Sequence, residues 1–176
     1  GRWLMKGEKM GIPQARHRVF FIACRQDINI EPSLLDMTFN FEEIHFSEIV
    51  GGEPRKMKKD SQQYEMLLLA QKNKDHSISD VLEREKGKAS CFTDFITWLN
   101  EVPPTQTAKG NIMLGDDKRK ISDLEALRMQ TFPEDYDFGG MSVSYICGMS
   151  VPPVMMKRIV QRMIINGVFK YKGVTI

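Results

Sequence analysis

Residues 18 to 24, Arg18-Val19-Phe20-Phe21-Ile22-Ala23-Cys24, form an apolar run rich in β-branched and aromatic side chains, entered from Gly11-Ile12-Pro13 and left through Arg25-Gln26-Asp27. A strand with one wet face would alternate, so an unbroken run predicts a strand buried on both faces. Such a strand belongs in a sheet covered by helices on both sides. Few further strands of this type follow, so the sheet is expected to be incomplete within the chain. The first residue is Gly rather than Met, which adds to the expectation of a trimmed chain or a fragment of something longer.

From about Asn40 to Thr105 the pattern shifts to short mixed elements between charged clusters, a candidate second domain. Asp60-Ser61-Gln62-Gln63 offers a cap for a helix running to about Lys74, with Tyr64, Leu67, Leu68 and Gln71 on one face. Ser77 or Ser79 caps a second short helix that ends near Gly87. Phe92, Ile96 and Trp98 give a strand alternation that stops at Pro103-Pro104. Ser122-Asp123-Leu124-Glu125 has capping-box spacing, and Leu124, Leu127 and Phe132 carry a stripe to Pro133. Val151-Pro152-Pro153 opens the most secure helix, with Val154, Met155, Ile159, Met163 and Ile164 ahead of Asn166-Gly167.

The chain has 25 basic and 23 acidic residues, so a net charge of +2 excludes polybasic nucleic-acid binding by bulk charge; any such contact must be local. Residues 1 to 39 carry six bases and four acids, residues 40 to 105 nine and twelve, and residues 106 to 176 ten and seven. Within the acidic middle part, Arg55-Lys56-Met57-Lys58-Lys59 is a basic cluster that reads either as a solvated loop or as a phosphate contact. No run approaches 18 apolar residues, and no signal peptide is apparent at the amino end, so a soluble, non-secreted protein is expected.

Local chemistry alone reveals no catalytic site. Cys24, Cys91 and Cys147 are an odd number without Cys-x-x-Cys spacing, and His17, His45 and His76 have no His-x-x-x-His neighbour, so neither disulfide framework nor metal site is expected. The sequence contains no Gly-x-Gly-x-x-Gly, Gly-x-x-x-x-Gly-Lys or Gly-x-Ser-x-Gly. Cys91 has no activating context and reads as a small buried thiol.

Three separated blocks say more together than apart. Met10-Gly11-Ile12-Pro13-Gln14-Ala15-Arg16-His17-Arg18 resembles the Gly-[Ile/Val]-Pro-Gln-x-Arg-x-Arg block of DNA cytosine-5 methyltransferases. Arg119-Lys120-Ile121-Ser122-Asp123-Leu124-Glu125 with Met129-Gln130-Thr131-Phe132-Pro133 is similar to that family's Arg-x-Leu-Thr-x-x-Glu and Leu-Gln-x-Phe-Pro block, and Gly148-Met149-Ser150-Val151-Pro152-Pro153 to its final Gly-Asn-Ser-Val-x-Pro block. They occur in the family's order. Met149 departs from the pattern, standing where the family has Asn. The Phe-x-Gly-x-Gly loop, the Pro-Cys-Gln nucleophile and the Glu-Asn-Val acid of the family's amino-terminal half do not occur in this sequence.

The resemblance implies an α/β fold: the carboxy-terminal part of a Rossmann-like, S-adenosylmethionine-dependent methyltransferase domain with an inserted small α+β target recognition domain. Residues 1–35 would supply a strand region of the catalytic domain, 36–110 the recognition domain, and 111–176 the helices returning to the catalytic domain. The implied reaction is methyl transfer from S-adenosylmethionine to C5 of a cytosine in a specific DNA sequence, of restriction-modification type, on a base swung out of the duplex. Arg18 and Arg16 are the implied catalytic residues. Arg18 would face the cytosine O2, where a fixed guanidinium suits developing negative charge. Gln14 and Arg16 would order the DNA strand and neighbouring carboxylates, with Thr105, Gln106 and Lys109 as further DNA contacts. Gly148, Ser150 and Val151 would touch the cofactor. The block around Gly148 also reads as a tight turn feeding a helix. Arg119 would pair with a carboxylate. Implied partners are double-stranded DNA and the amino-terminal half of the enzyme or a partner subunit, with self-association of the isolated piece; the implied location is the bacterial cytoplasm, at the nucleoid. Alone, the chain would be inactive. A different reading is a non-catalytic DNA-binding or regulatory module on the same scaffold, and a third is an unrelated α+β interaction domain.

Overall fold

The computed structural model describes residues 4–23, 31, 35–89 and 94–168. It is a mixed α/β arrangement with two small sheets. In chain order it has β1 (Leu4–Lys6), a 3-10 turn (Gly7–Met10), β2 (His17–Val19), a second 3-10 turn (Phe46–Glu48), α1 (Gln62–Leu69), α2 (Ile78–Lys86), β3 (Phe95–Thr97), β4 (Ile112–Leu114), β5 (Arg119–Lys120), α3 (Asp123–Gln130), α4 (Val143–Met149) and α5 (Pro153–Ile165). Strands β1 and β2 are antiparallel, with Met5 opposite Arg18. In the other sheet β4 is central, parallel to β3 and antiparallel to β5.

The strand buried on both faces is β4, not the apolar run after Arg18. Ile112 and Leu114 point into one core with Phe46, Ile121 and Met129, whereas Met113 points into another with Leu67, Ile78, Val81 and Trp98. Every residue of β4 is buried, as the period of two requires when both faces are covered. By contrast β2 ends at Val19, which is 54% exposed, and Phe21 is 89% exposed. The reason is that only one face is covered among the described residues: Phe20 and Ile22 pack on the core that holds Met155 and Ile159, while Val19 and Phe21 face outward. Cys24 lies outside the described residues.

A third core joins the first sheet to the last helix, through Met5, Met10, Ile12 and Met37 with Met155 and Ile159 of α5. Pro153 opens α5 and Asn166 closes it, as the sequence predicts, but Ile164 is 52% exposed, because it lies on the open face with Met156 and Val160.

Caps set the helix boundaries. The Ser61, Ser77 and Ser122 hydroxyls each accept from the third backbone amide of the helix that follows, and Glu125 completes the capping box of α3. Helix α1 stops at Leu69, short of the expected Lys74, because Ala70 is extended and the Asp75 carboxylate takes the Gln71 amide at 2.7 Å. Its buried face carries Met66 and Leu67, while Leu68 is 51% exposed. Helix α3 ends at Gln130, with Thr131 in the left-handed region, so the stripe stops before Phe132. Strand β3 begins at Phe95; Phe92 and Cys91 lie outside the described residues.

Candidate functional site: a buried arginine clamp

The turn between the first 3-10 helix and β2 bends inward. Gly7 accepts the Ile12 amide at 3.1 Å and donates to the Arg16 carbonyl at 3.0 Å, which curls residues 11 to 16 over a glycine whose added Cβ would lie 2.7 Å from the Gln14 carbonyl oxygen. The curl buries both Gln14, 0% exposed, and Arg16, 1% exposed. Ala15 between them donates to Pro103 at 2.8 Å and accepts from the Thr105 hydroxyl at 2.7 Å, which pins the 103–106 strap alongside.

Arg16 is the centre of this arrangement. Its Nη1 donates to the Gln106 carbonyl at 2.8 Å and to Gln14 Oε1 at 3.3 Å; its Nη2 donates to the Gly148 and Ser150 carbonyls at 2.9 and 2.8 Å. None of these partners carries a formal charge. Burial first, and then the charge of Arg18, lower its pKa to about 10, which still leaves the guanidinium charged at neutral pH. The carboxylate partner expected for this turn is replaced by three carbonyls that belong to two distant segments, 106 and 148–150.

Glutamines extend the knot. Gln14 Nε2 donates to the Met129 carbonyl at 3.0 Å and to Gln130 Oε1 at 2.9 Å, while Gln14 Oε1 accepts the Gln106 amide at 2.8 Å. Gln130 in turn donates to the Ser150 carbonyl at 2.9 Å and hydroxyl at 3.1 Å. Gln130 was not among the site residues expected from the sequence, although it sits in the second block; its burial at 0% is the signal that burial patterning could have raised only with α3 in place.

Gly148 and Met149 form the last turn of α4, with Ser150 as its C-cap, so this block ends one helix as well as preceding another. A Cβ on Gly148 would collide with the backbone of Thr107 and Ala108, so only glycine lets α4 lie directly on the strap. The adjacent Cys147 is buried, and burial raises its pKa to about 11, so its thiol stays protonated and is no nucleophile.

The remaining expected residues lie around this knot. Arg18 sits on β2, half-buried, with Nη1 donating to the His17 carbonyl at 2.7 Å and no carboxylate partner among the described residues. Lys109 is exposed at the turn after the strap. Gln106 is buried with both amide atoms unpartnered, so in this structure it contributes its backbone rather than its side chain. Val151 is 39% and Met149 67% exposed, whereas the carbonyls of Gly148 and Ser150 are occupied by Arg16. The surface this block leaves open is therefore apolar, with its carbonyls already engaged.

Arg119 behaves as expected. It grips Glu125 through two bonds of 2.6 and 2.8 Å, and Glu125 also accepts the Ser122 and Gly51 amides. Burial pushes the Glu125 carboxyl up, but the Arg119 bonds and the two amides outweigh it and hold the group below its ordinary value.

Comparison with known proteins supports the family resemblance. Residues 3–165 match the C-5 cytosine-specific DNA methylase family. The chain is 27% identical over 167 residues to the type II methyltransferase M.BbvI of Brevibacillus brevis, a match covering 85% of this chain and 44% of that protein. The chain thus spans less than half the length of this relative. With its family blocks drawn into one hydrogen-bonded knot and the match running over nearly its whole length, the chain belongs to the C-5 cytosine-specific DNA methylases.

Proposed function

We propose that this chain is the carboxy-terminal portion of a DNA cytosine-5 methyltransferase of restriction-modification type, which recognises target DNA and completes an active site begun elsewhere. The observation that carries the reading is the knot itself: Arg16 and Gln14 tie residues 106, 129–130 and 148–150 to the turn that presents Arg18. A rigid turn is what a charge-stabilising group needs, since a donor helps the transition state only when fixed before the charge develops. Residues 1–35 and 111–176 belong in this reading to the Rossmann-like catalytic domain, and residues 36–110 to the inserted recognition domain.

In this reading Arg18 donates hydrogen bonds to O2 of the extruded cytosine and stabilises the electron density pushed onto the ring when a cysteine of the other portion adds at C6. Gln14 and Arg16 act one step back, as positioning residues. Thr105 helps by fixing Ala15, and Lys109 faces the duplex. S-adenosylmethionine supplies the methyl group. Val151 and Met149, both exposed, would give it an apolar wall. The open stripe of α5, Met156, Val160 and Ile164, is the docking face for that portion; uncovered, it favours self-association.

Reconstitution tests the proposal. Combined with an amino-terminal portion carrying the Pro-Cys-Gln and Phe-x-Gly-x-Gly blocks, the chain is expected to restore transfer of labelled methyl groups to C5 of cytosine in duplex DNA. Alone it transfers none. A chain that docks with that portion and binds duplex without restoring transfer would be a non-catalytic module.

A further inference from the structure

The basic cluster that the sequence leaves ambiguous is held in a fixed conformation. Residues 55 to 58 alternate: Arg55 and Met57 are half-buried, Lys56 and Lys58 exposed. Met57 packs against the core under α1 and α2. Arg55 is anchored by Nε, 2.7 Å from Asp123 Oδ1, and by Nη1, which donates to the Gly110 carbonyl at 3.3 Å. Next along, the Lys58 carbonyl accepts both the Ser61 amide at 3.2 Å and its hydroxyl at 2.6 Å, so the cluster runs directly into the cap of α1. With Arg55 and Met57 turned inward, the alternating Lys56 and Lys58 are left exposed.

Arg55 also brings a distant cation to this surface. Its acceptor Gly110 directly follows Lys109, so Lys56 and Lys109 each sit one residue from the two ends of a single hydrogen bond. Gly110 has φ +62, and a Cβ there would meet the Arg55 guanidinium and the Ser144 side chain, so the close approach depends on glycine.

Elsewhere the molecule neutralises many of its cations: Arg84 on Asp75, Lys72 on Asp116, Arg119 on Glu125 and Arg128 on Glu134. Lys56, Lys58, Lys59 and Lys109 are exposed and have no ion pair among the described residues, while Asp123 is engaged by Arg55. Lys74, Lys86 and Lys88 of the same region also lack an ion pair among the described residues, but only Lys56, Lys58 and Lys59 are clustered on a braced loop and brought next to Lys109 by the Arg55–Gly110 bond.

We infer that Lys56, Lys58, Lys59 and Lys109 form a rail for the phosphodiester backbone of duplex DNA, separate from any residue that reads bases. The inference rests on the DNA-methyltransferase reading and gives it a surface. Flexible ammonium groups without acceptors suit phosphates, which fix orientation without carrying sequence information.

The test is the salt dependence of duplex binding by the 176-residue chain, starting from low ionic strength. Each phosphate contact contributes about 0.9 to the slope of log K against log salt. K56Q/K58Q/K59Q is expected to flatten that slope by about 2.7, K109Q by about 0.9, and K56R/K58R/K59R to leave it unchanged. The ratio between affinities for different sequences should stay the same in all variants. An unchanged slope in the glutamine variants, or an equal loss in the arginine variant, overturns the rail while leaving the DNA reading intact. If the unmutated chain binds no duplex at any salt, the rail falls together with the reading of this chain as a DNA-contacting portion.

Discussion

Arg16 and Arg119 are both arginines of family blocks, both drawn inward, and they are held in opposite ways. Arg119 is clasped by a carboxylate six residues away, so its charge is cancelled locally and the pair closes the start of one helix. Arg16 is clasped by main-chain carbonyls of residues 106, 148 and 150, so its charge is spread over dipoles and the bond set spans almost the length of the chain. A buried cation held by carbonyls is sustained by the fold around it, because no single partner compensates its desolvation. The difference assigns Arg119 to local bracing and Arg16 to assembly of the site.

Substitutions break that contrast in order of size. Arg16→Leu leaves the carbonyls of Gln106 and Gly148 without this donor, at about 1–3 kcal/mol for each buried acceptor, while the Ser150 carbonyl keeps only Gln130. The expected loss is about 4 kcal/mol, read as a collapse of the urea midpoint, and Arg16→Lys recovers only part of it since an ammonium cannot reproduce the planar fork. Glu125→Gln should cost about 2 kcal/mol, because it takes the buried anion from Arg119 and leaves it only the half-exposed Asp117 carboxylate, 3.1 Å from Nε. It also carries a pH signature. The Glu125 pKa is held down in the folded state, so its contribution is complete above about pH 4.5 and is lost as pH falls through the folded value; in Glu125→Gln that acid-side loss should vanish from the stability profile. Destabilisation by Arg119→Met equal to that of Arg16→Leu would erase the distinction between the two arginines.

Smaller effects sharpen the comparison. Gly148→Ala pushes α4 off the Thr107–Ala108 backbone and should cost about 1–3 kcal/mol, with methyl transfer by the reconstituted enzyme falling further than stability alone accounts for. Ser77→Ala removes only the cap of α2 and should cost about 1 kcal/mol in thermal unfolding with no effect on transfer. Equal loss of transfer in both variants would show that the strap contact has no special place in the site.

What could be read in advance follows from where the information lies. The caps at Ser61, Ser77 and Ser122 and the proline start of α5 were legible because each motif satisfies its own helix amides within a few residues. The family blocks were legible as ordered text. The burial of β4 was not, since three residues, Ile112-Met113-Leu114, give no period until two cores flank them. The end of α1 was hidden for a similar reason: it depends on Asp75 reaching back to the Gln71 amide while bound to Arg84. The acceptors of Arg16 were hidden most completely, because every residue carries a carbonyl and nothing in the sequence marks which three will converge.

In the proposed function the knot holds Arg18 against an extruded cytosine. Single-turnover methyl transfer by the reconstituted enzyme carrying Arg18→Ala measures it most directly. The expected result is a rate lower by about 10² to 10³, the usual cost of removing one donor aimed at developing charge, with duplex affinity and unfolding midpoint unchanged. A rate near that of the unmutated enzyme would contradict it.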